Sequence, residues 1–225
     1  MAFFIALSYF GIMSYMHFDS KETGILFIDF QRDFCEEGGY ADKFAGGTDW
    51  VKPILPNAKK LLDFARRHKW LIIHTAEGYS PDLSDCDEYR LKRSAIADAK
   101  IGSEGPMGRL LIRGEYGQDF IDLLKPQQDE IVIQKAAYGA FSDSDLLEIL
   151  EKKGIKRLIF TGVTADVCVH TTLRQATDYG FECYYVKDAI STPDPEICRA
   201  CEKMVEVEGG IWGHLTTTNE ILSNV

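Results

Sequence analysis

The sequence predicts an α/β protein, a Rossmann-like three-layer sandwich with a six-stranded, mostly parallel sheet between two layers of helices. Short apolar runs, several of them β-branched, recur along the chain and amphipathic stretches alternate with them. No repeat or Gly/Ser linker divides the 225 residues. Such runs fit strands buried on both faces of a parallel sheet. Their alternation with helices inside one domain makes the sheet doubly wound, and right-handed crossovers place helices on both sides.

The strands are expected at Gly24–Phe30, Trp70–His74, Glu130–Gln134, Arg157–Thr161 and Cys183–Val186, with a weaker sixth at Ile211–Leu215. Between the first two, Val51–Arg67 sets Leu55, Ala58, Leu61, Leu62 and Ala65 on one side of a helix. Asp143–Lys153 does the same with Leu146, Leu147 and Leu150, and Gly154 follows as a natural C-cap. Asp166–Tyr179 and Pro195–Val207 supply two more helices. Thr75–Gly114 breaks the alternation with turn signals and many charges. A loop that long inside a compact domain is usually functional. Rising from the carboxyl end of a strand, it can wall a pocket where open α/β sheets bind ligands.

Composition bounds the function. The formal net charge of -10 gains nothing from a phosphate backbone or an anionic membrane, so neither nucleic acid nor membrane is expected as a partner. A chain this long folds without disulfides, so its six cysteines point to a reducing, cytoplasmic setting. Residues 1–16 are apolar and uncharged, but they lack the basic n-region and cleavage site of a secretory signal and fall short of a membrane span. They read as an extension packed on a partner, or as a start placed ahead of Met13 or Met16. Residues 17–225 form the expected single domain.

Three residues pose a chemical question. Asp29 ends an otherwise apolar strand, and burying an ionised carboxylate is expensive unless it is paired. Lys135 poses the same problem at the end of another strand; two opposite charges at the ends of two central strands can solve each other's desolvation. Cys168 lies where a strand ends at Gly162 and a helix begins, so a depressed thiol pKa is expected beside a helix N-terminus and a lysine. Backbone N–H groups at that turn suit an anionic oxygen. Taken singly, each has a bland reading: a capping carboxylate, a solvated lysine, a buried structural thiol. Cys198 and Cys201 have redox spacing but fall within a helix. His74 is the best metal candidate of the five histidines, yet reads better as a satisfied core residue, and neither metal nor cofactor is expected.

The segments Asp29-Phe30-Gln31-Arg32-Asp33-Phe34-Cys35, Lys135 and Gly162-Val163-Thr164-Ala165-Asp166-Val167-Cys168-Val169 resemble the isochorismatase-like cysteine hydrolase superfamily in order, spacing and strand placement. The likeness runs from about Thr23 to Leu222 and implies a six-stranded parallel sheet. Cys168 points to the amide-hydrolysing branch. Within it the chain is similar to the biuret hydrolases and related ureide amidohydrolases, through Gly38-Gly39-Tyr40, His74-Thr75-Ala76-Glu77-Gly78, Gly105-Pro106-Met107-Gly108-Arg109 and Glu208-Gly209-Gly210. Nicotinamidases carry an Asp-x-His metal cluster after the second strand, which this chain lacks. Two departures stand out: Glu208 replaces a glutamine that contacts substrate in the biuret enzymes, and Ala76 stands where they have arginine.

The resemblance implies a triad of Asp29, Lys135 and Cys168. It also implies an oxyanion hole from the backbone of Thr164 and Cys168, with a cis peptide at Val163–Thr164. The expected reaction cleaves a C–N bond of a small, biuret-like ureide through a thioester, releasing ammonia. The alternatives are another small amide, ureidoacrylate- or nicotinamide-like, or a silent binding subunit. Phe34, Tyr40, Tyr138, Phe141 and Glu208 are the candidate substrate contacts. Arg109 and Arg113 reach in from the long loop, or merely bridge to acidic neighbours. Relatives imply a homo-oligomer, a dimer or tetramer.

Overall fold

A computed structural model describes residues 17–224; the apolar segment 1–16 and its expected role as an oligomer contact lie outside the described residues. A six-stranded parallel sheet is built from β1 (Thr23–Ile28), β2 (Leu71–Glu77), β5 (Ile131–Lys135), β6 (Arg157–Val163), β7 (Glu182–Ser191) and β8 (His214–Thr216). Its order is β5-β2-β1-β6-β7-β8. The small hairpin of β3 (Glu104–Gly105) and β4 (Gly108–Arg109) lies apart from it.

Alternation along β1 sorts the core into two layers. Ile25 and Phe27 join the cluster that packs α3 (Leu55–Arg67), through Leu61, Leu62 and Ala65. Leu26 and Ile28 face the other cluster, with Leu146 and Leu150 of α5 (Leu146–Lys152), Leu173 of α6 (His170–Asp178) and Cys201 of α7 (Pro195–Val205). Each of these helices has an apolar stripe that a sheet face can cover. Asp194 caps α7 by accepting the N–H of Glu196 at 2.7 Å, and Pro195 at the first turn forfeits no helical hydrogen bond. The C-terminal helix α8 (Thr218–Ser223) begins with a capping box of Thr217 and Glu220.

Three expectations need correction. Lys135 ends β5, an edge strand separated from β1 by β2, not a central neighbour of Asp29. The alternating exposure of β5, with Val132 and Gln134 outward, shows that one face of this strand is left uncovered. β2 runs three residues past His74 to Glu77, so the excursion starts later than the polar residues suggested. Within that excursion lies α4 (Glu88–Ile96), N-capped by Asp87, which accepts the N–H of Arg90 at 2.8 Å. Two further short helices, α1 (Arg32–Cys35) and α2 (Tyr40–Ala45), follow β1.

The carboxyl edge of the sheet is shaped by one close approach. Gly162 has φ of 129°, and a Cβ there would meet the Ile28 carbonyl oxygen at 2.2 Å. Glycine thus lets β6 lie against the end of β1 at the point where both strands hand over to functional turns. The pairing of β6 with β7 shifts register between Phe160 and Gly162, a bulge that re-aims the chain leading into Thr164.

Candidate active site

Asp29 comes directly after β1 in the left-handed region, at φ of 53°, a conformation aspartate tolerates better than most residues. Its N–H is donated to the Thr75 carbonyl at 3.1 Å, and the Thr75 hydroxyl donates to Asp29 Oδ1 at 2.5 Å. The carboxylate is thereby held pointing along the sheet edge. Lys135 Nζ, arriving from β5, lies 2.8 Å from Asp29 Oδ2 and donates to the Ala137 carbonyl at 3.0 Å. Both side chains are fully buried. Cys168 sits in a wide turn, Ala165–Val169, closed by the Val169 N–H donated to the Thr164 carbonyl at 3.1 Å. Such i→i+5 turns are frequent at functional sites. The helix proper starts only at His170 rather than at Asp166, and the Val163–Thr164 peptide is cis. Cys168 Sγ stands 3.7 Å from Lys135 Nζ, so three points distant in sequence meet at one edge.

A fourth member joins them. Glu77, the last residue of β2, places Oε2 at 3.6 Å from Cys168 Sγ and 3.8 Å from Lys135 Nζ, while its Oε1 accepts the Tyr79 hydroxyl at 2.9 Å. Burial raises the Glu77 carboxyl above its ordinary pKa, against the pull of Lys135. Burial also opposes the charge of Lys135, but Asp29, Cys168 and Glu77 outweigh it and raise the ammonium's pKa. The thiol does not follow the expected depression. Burial, aided by the Asp29 and Glu77 carboxylates, raises Cys168 well above the ordinary thiol value, and Lys135 alone does not offset them. Alkylation of Cys168 by iodoacetamide should be slower than that of a free thiol at pH 7 and accelerate only past pH 9, followed on its own peptide by mass spectrometry. A rate at pH 6 above that of free cysteine would show the thiolate instead.

A cavity of about 410 Å³ opens onto the sulfur. Phe34, Tyr40, Tyr138 and Thr164 line it with Cys168 and Glu77, so these expected contacts are brought together. Phe141 is not among them: it packs against Tyr179 and Phe181 in the core, with ring centroids 5.3 and 6.2 Å away. Glu208 is absent too, because it occupies an exposed left-handed position in a turn after α7 with φ of 53°. Arg109 donates to the Gly102 and Pro81 carbonyls and Arg113 pairs with Asp85 at 2.8 Å, so both tie down the excursion. Asp33 does the same from α1, accepting the N–H groups of Leu111 at 2.8 Å and Tyr40 at 3.2 Å. A larger cavity of about 660 Å³ lies at the amino ends of the strands, near Trp70 and Ile155, away from Cys168.

The isochorismatase domain matches residues 23–219, nearly the whole described chain. The chain belongs to the isochorismatase family. It is 30% identical over 186 residues to the ureidoacrylate amidohydrolase RutB of Yersinia enterocolitica, covering 81% of this chain and 80% of that protein. Its fold is shared with a cysteine hydrolase of Pseudomonas syringae, at a TM-score of 0.77 and 23% identity over 92% of this chain and 93% of that one. An N-carbamoylsarcosine amidase of Thermoplasma acidophilum superposes with a TM-score of 0.68 at 20% identity, covering 88% and 97%.

In this isochorismatase-family site the donor atoms of Asp29, Glu77 and Cys168 lie within 4.8 Å of one another, a grouping that could hold a cation. Lys135 Nζ stands 2.8, 3.8 and 3.7 Å from them, so the group already has a cation beside it. His74 belongs to a different network: its Nε2 meets Glu130 Oε2 at 2.9 Å beneath the stacked ring of Phe27. The six cysteines are unpaired, and among the described residues no helix is long and apolar enough to cross a membrane. Sequence reasoning missed Glu77 and Arg93, the latter lining the cavity from α4. For Glu77 a signal existed in the strand-end position shared with Asp29 and Lys135.

Proposed function

We propose that the protein hydrolyses a C–N bond of a small amide or ureide through a covalent intermediate on Cys168. The observation carrying this reading is a buried ammonium 2.8 Å from a carboxylate and 3.7 Å from a sulfur that lines a cavity of substrate size. The resemblance to ureidoacrylate amidohydrolase RutB supports a ureide over a simple carboxamide.

Asp29 takes the thiol proton as Sγ attacks the carbonyl, so no resting thiolate is needed. The negative charge passes to the carbonyl oxygen, which the N–H groups of Thr164 and Cys168 receive. Lys135 holds Asp29 oriented before attack. Protonated Asp29 returns its proton to the nitrogen as the C–N bond breaks, and ammonia departs. Water then loses a proton to Asp29 while its oxygen bonds to the acyl carbon; the C–S bond breaks and the sulfur regains a proton. Glu77 accepts hydrogen bonds, and beside the sulfur it holds the N–H groups of a ureide in register.

Ammonia release measured across biuret, ureidoacrylate, other linear ureides, simple carboxamides and nicotinamide tests the reading. Linear ureides should exceed nicotinamide in kcat/KM by about 10-fold or more, since an apolar-ring site gains only ~1–3 kcal/mol from shape. Turnover of nicotinamide with no turnover of any ureide would overturn it.

A further inference from the structure

We infer that Arg93, with Tyr40 and Tyr138, forms a carboxylate-binding wall, so that the substrate carries a carboxylate beyond its scissile carbonyl; this rests on the amide-hydrolase reading above. Helix α4 presents Arg90 and Arg93 three residues apart, on one face, both over the Tyr138 ring at 4.9 and 5.7 Å. Arg90 is satisfied: it pairs with Asp87 at 3.2 Å and donates to the Ala136 carbonyl. Arg93 is not. Its guanidinium reaches the Tyr40 hydroxyl at 3.4 Å, and its Nε is buried with no hydrogen-bond partner.

Two other arginines have a buried, unpartnered Nε, Arg32 and Arg113, but each forms an ion pair with a carboxylate. Among the described residues Arg93 forms none. A partly buried guanidinium cannot shed its charge, so leaving it without an anion is costly. It is also the cationic residue in the lining of the cavity, where the carboxylates are Glu77, Asp166 and Asp194. Asp166 accepts the Thr192 hydroxyl at 2.6 Å, and Asp194 caps α7.

The cavity is therefore polarised. Its acidic side repels an anion and its Arg93 side attracts one, while Glu77 beside the sulfur accepts from N–H groups. A ureide with a carboxylate tail fits that gradient in one direction, with its N–H-rich end at Cys168. A planar guanidinium fork matches a carboxylate, and a single positive charge among three carboxylates disfavours a dianion.

The test is binding, so that it does not depend on turnover. The Cys168→Ala protein is titrated by calorimetry with 3-ureidopropanoate and with its neutral isostere 3-ureidopropanamide, with and without Arg93→Gln. The acid should bind about 10- to 100-fold tighter than the amide, and Arg93→Gln should abolish that preference while changing amide binding by less than about 3-fold. Arg93→Lys should restore part of it. Equal binding of acid and amide, or equal loss of both in Arg93→Gln, would overturn the inference. Should the acid bind selectively while the protein with Cys168 intact hydrolyses no ureide, the carboxylate wall stands and the proposed function falls.

Discussion

Replacing Cys168 by alanine should lower turnover by at least about 10³-fold while shifting Tm by no more than about 2 °C. The side chain is small, and its loss removes one sulfur from the inner cluster without uncovering a charge. Its partners remain satisfied, since Glu77 keeps the Tyr79 hydroxyl and Lys135 keeps Asp29. Cys168→Ser should be nearly as inactive, because a hydroxyl beside two carboxylates is far harder to deprotonate than a thiol. Steady-state ammonia release and thermal melts of the three proteins check both halves. Residual turnover above about a tenth would mean that another group attacks the carbonyl, and a large fall in Tm would make Cys168 structural.

The parts of this molecule that were legible in its sequence are those written in periodicity. The apolar runs of β1 and β6 are buried on both faces, so composition alone identified them, and the stripes of α3 and α5 declared which side faces inward. Strand order is not written that way, which is why Lys135 was expected on a central strand and stands on an edge. Glu77 escaped because the apolar run of β2 stops at His74, while the strand continues through Thr75 and Ala76 on hydrogen bonds to its neighbours. Arg93 escaped because α4 is short, charged and flanked by turn residues, and its helix depends on the Asp87 cap.

The thiol's charge state failed for a different reason. A lysine and a helix start argue for a thiolate only when nothing else is buried there. Two carboxylates and complete desolvation reverse the sign. Phe141 and Glu208 mark two other errors: nearness to Lys135 in sequence stood in for nearness in space at Phe141, which turns into the core, and Glu208, placed by resemblance to a substrate-contacting glutamine, turns to solvent.

Replacing Lys135 by methionine should cost about 3–5 kcal/mol of stability at pH 7, the usual penalty for removing one partner of a buried ion pair. For a domain of this size that is a fall in Tm of roughly 6–20 °C. Methionine fills similar volume, so packing survives, but Asp29 and Glu77 are left as buried carboxylates with no cation between them. The pH dependence identifies the cause. Burial already raises the Glu77 carboxyl, and losing the ammonium that pulls it down raises it further. A carboxyl whose folded pKa lies above its unfolded value destabilises the fold in full above that folded pKa, progressively less as pH falls below it, and not at all once pH is under the unfolded value. The gap between variant and wild type should therefore be widest at neutral pH and narrow toward pH 5, and Asp29→Asn added to Lys135→Met should recover part of the loss. Thermal melts from pH 5 to 8 measure it; equal Tm values for variant and wild type at pH 7 would show that Lys135 compensates nothing. A deficit that closes on acidification belongs to uncompensated charge rather than lost packing, because a cavity or a misfitting methionine is indifferent to protons.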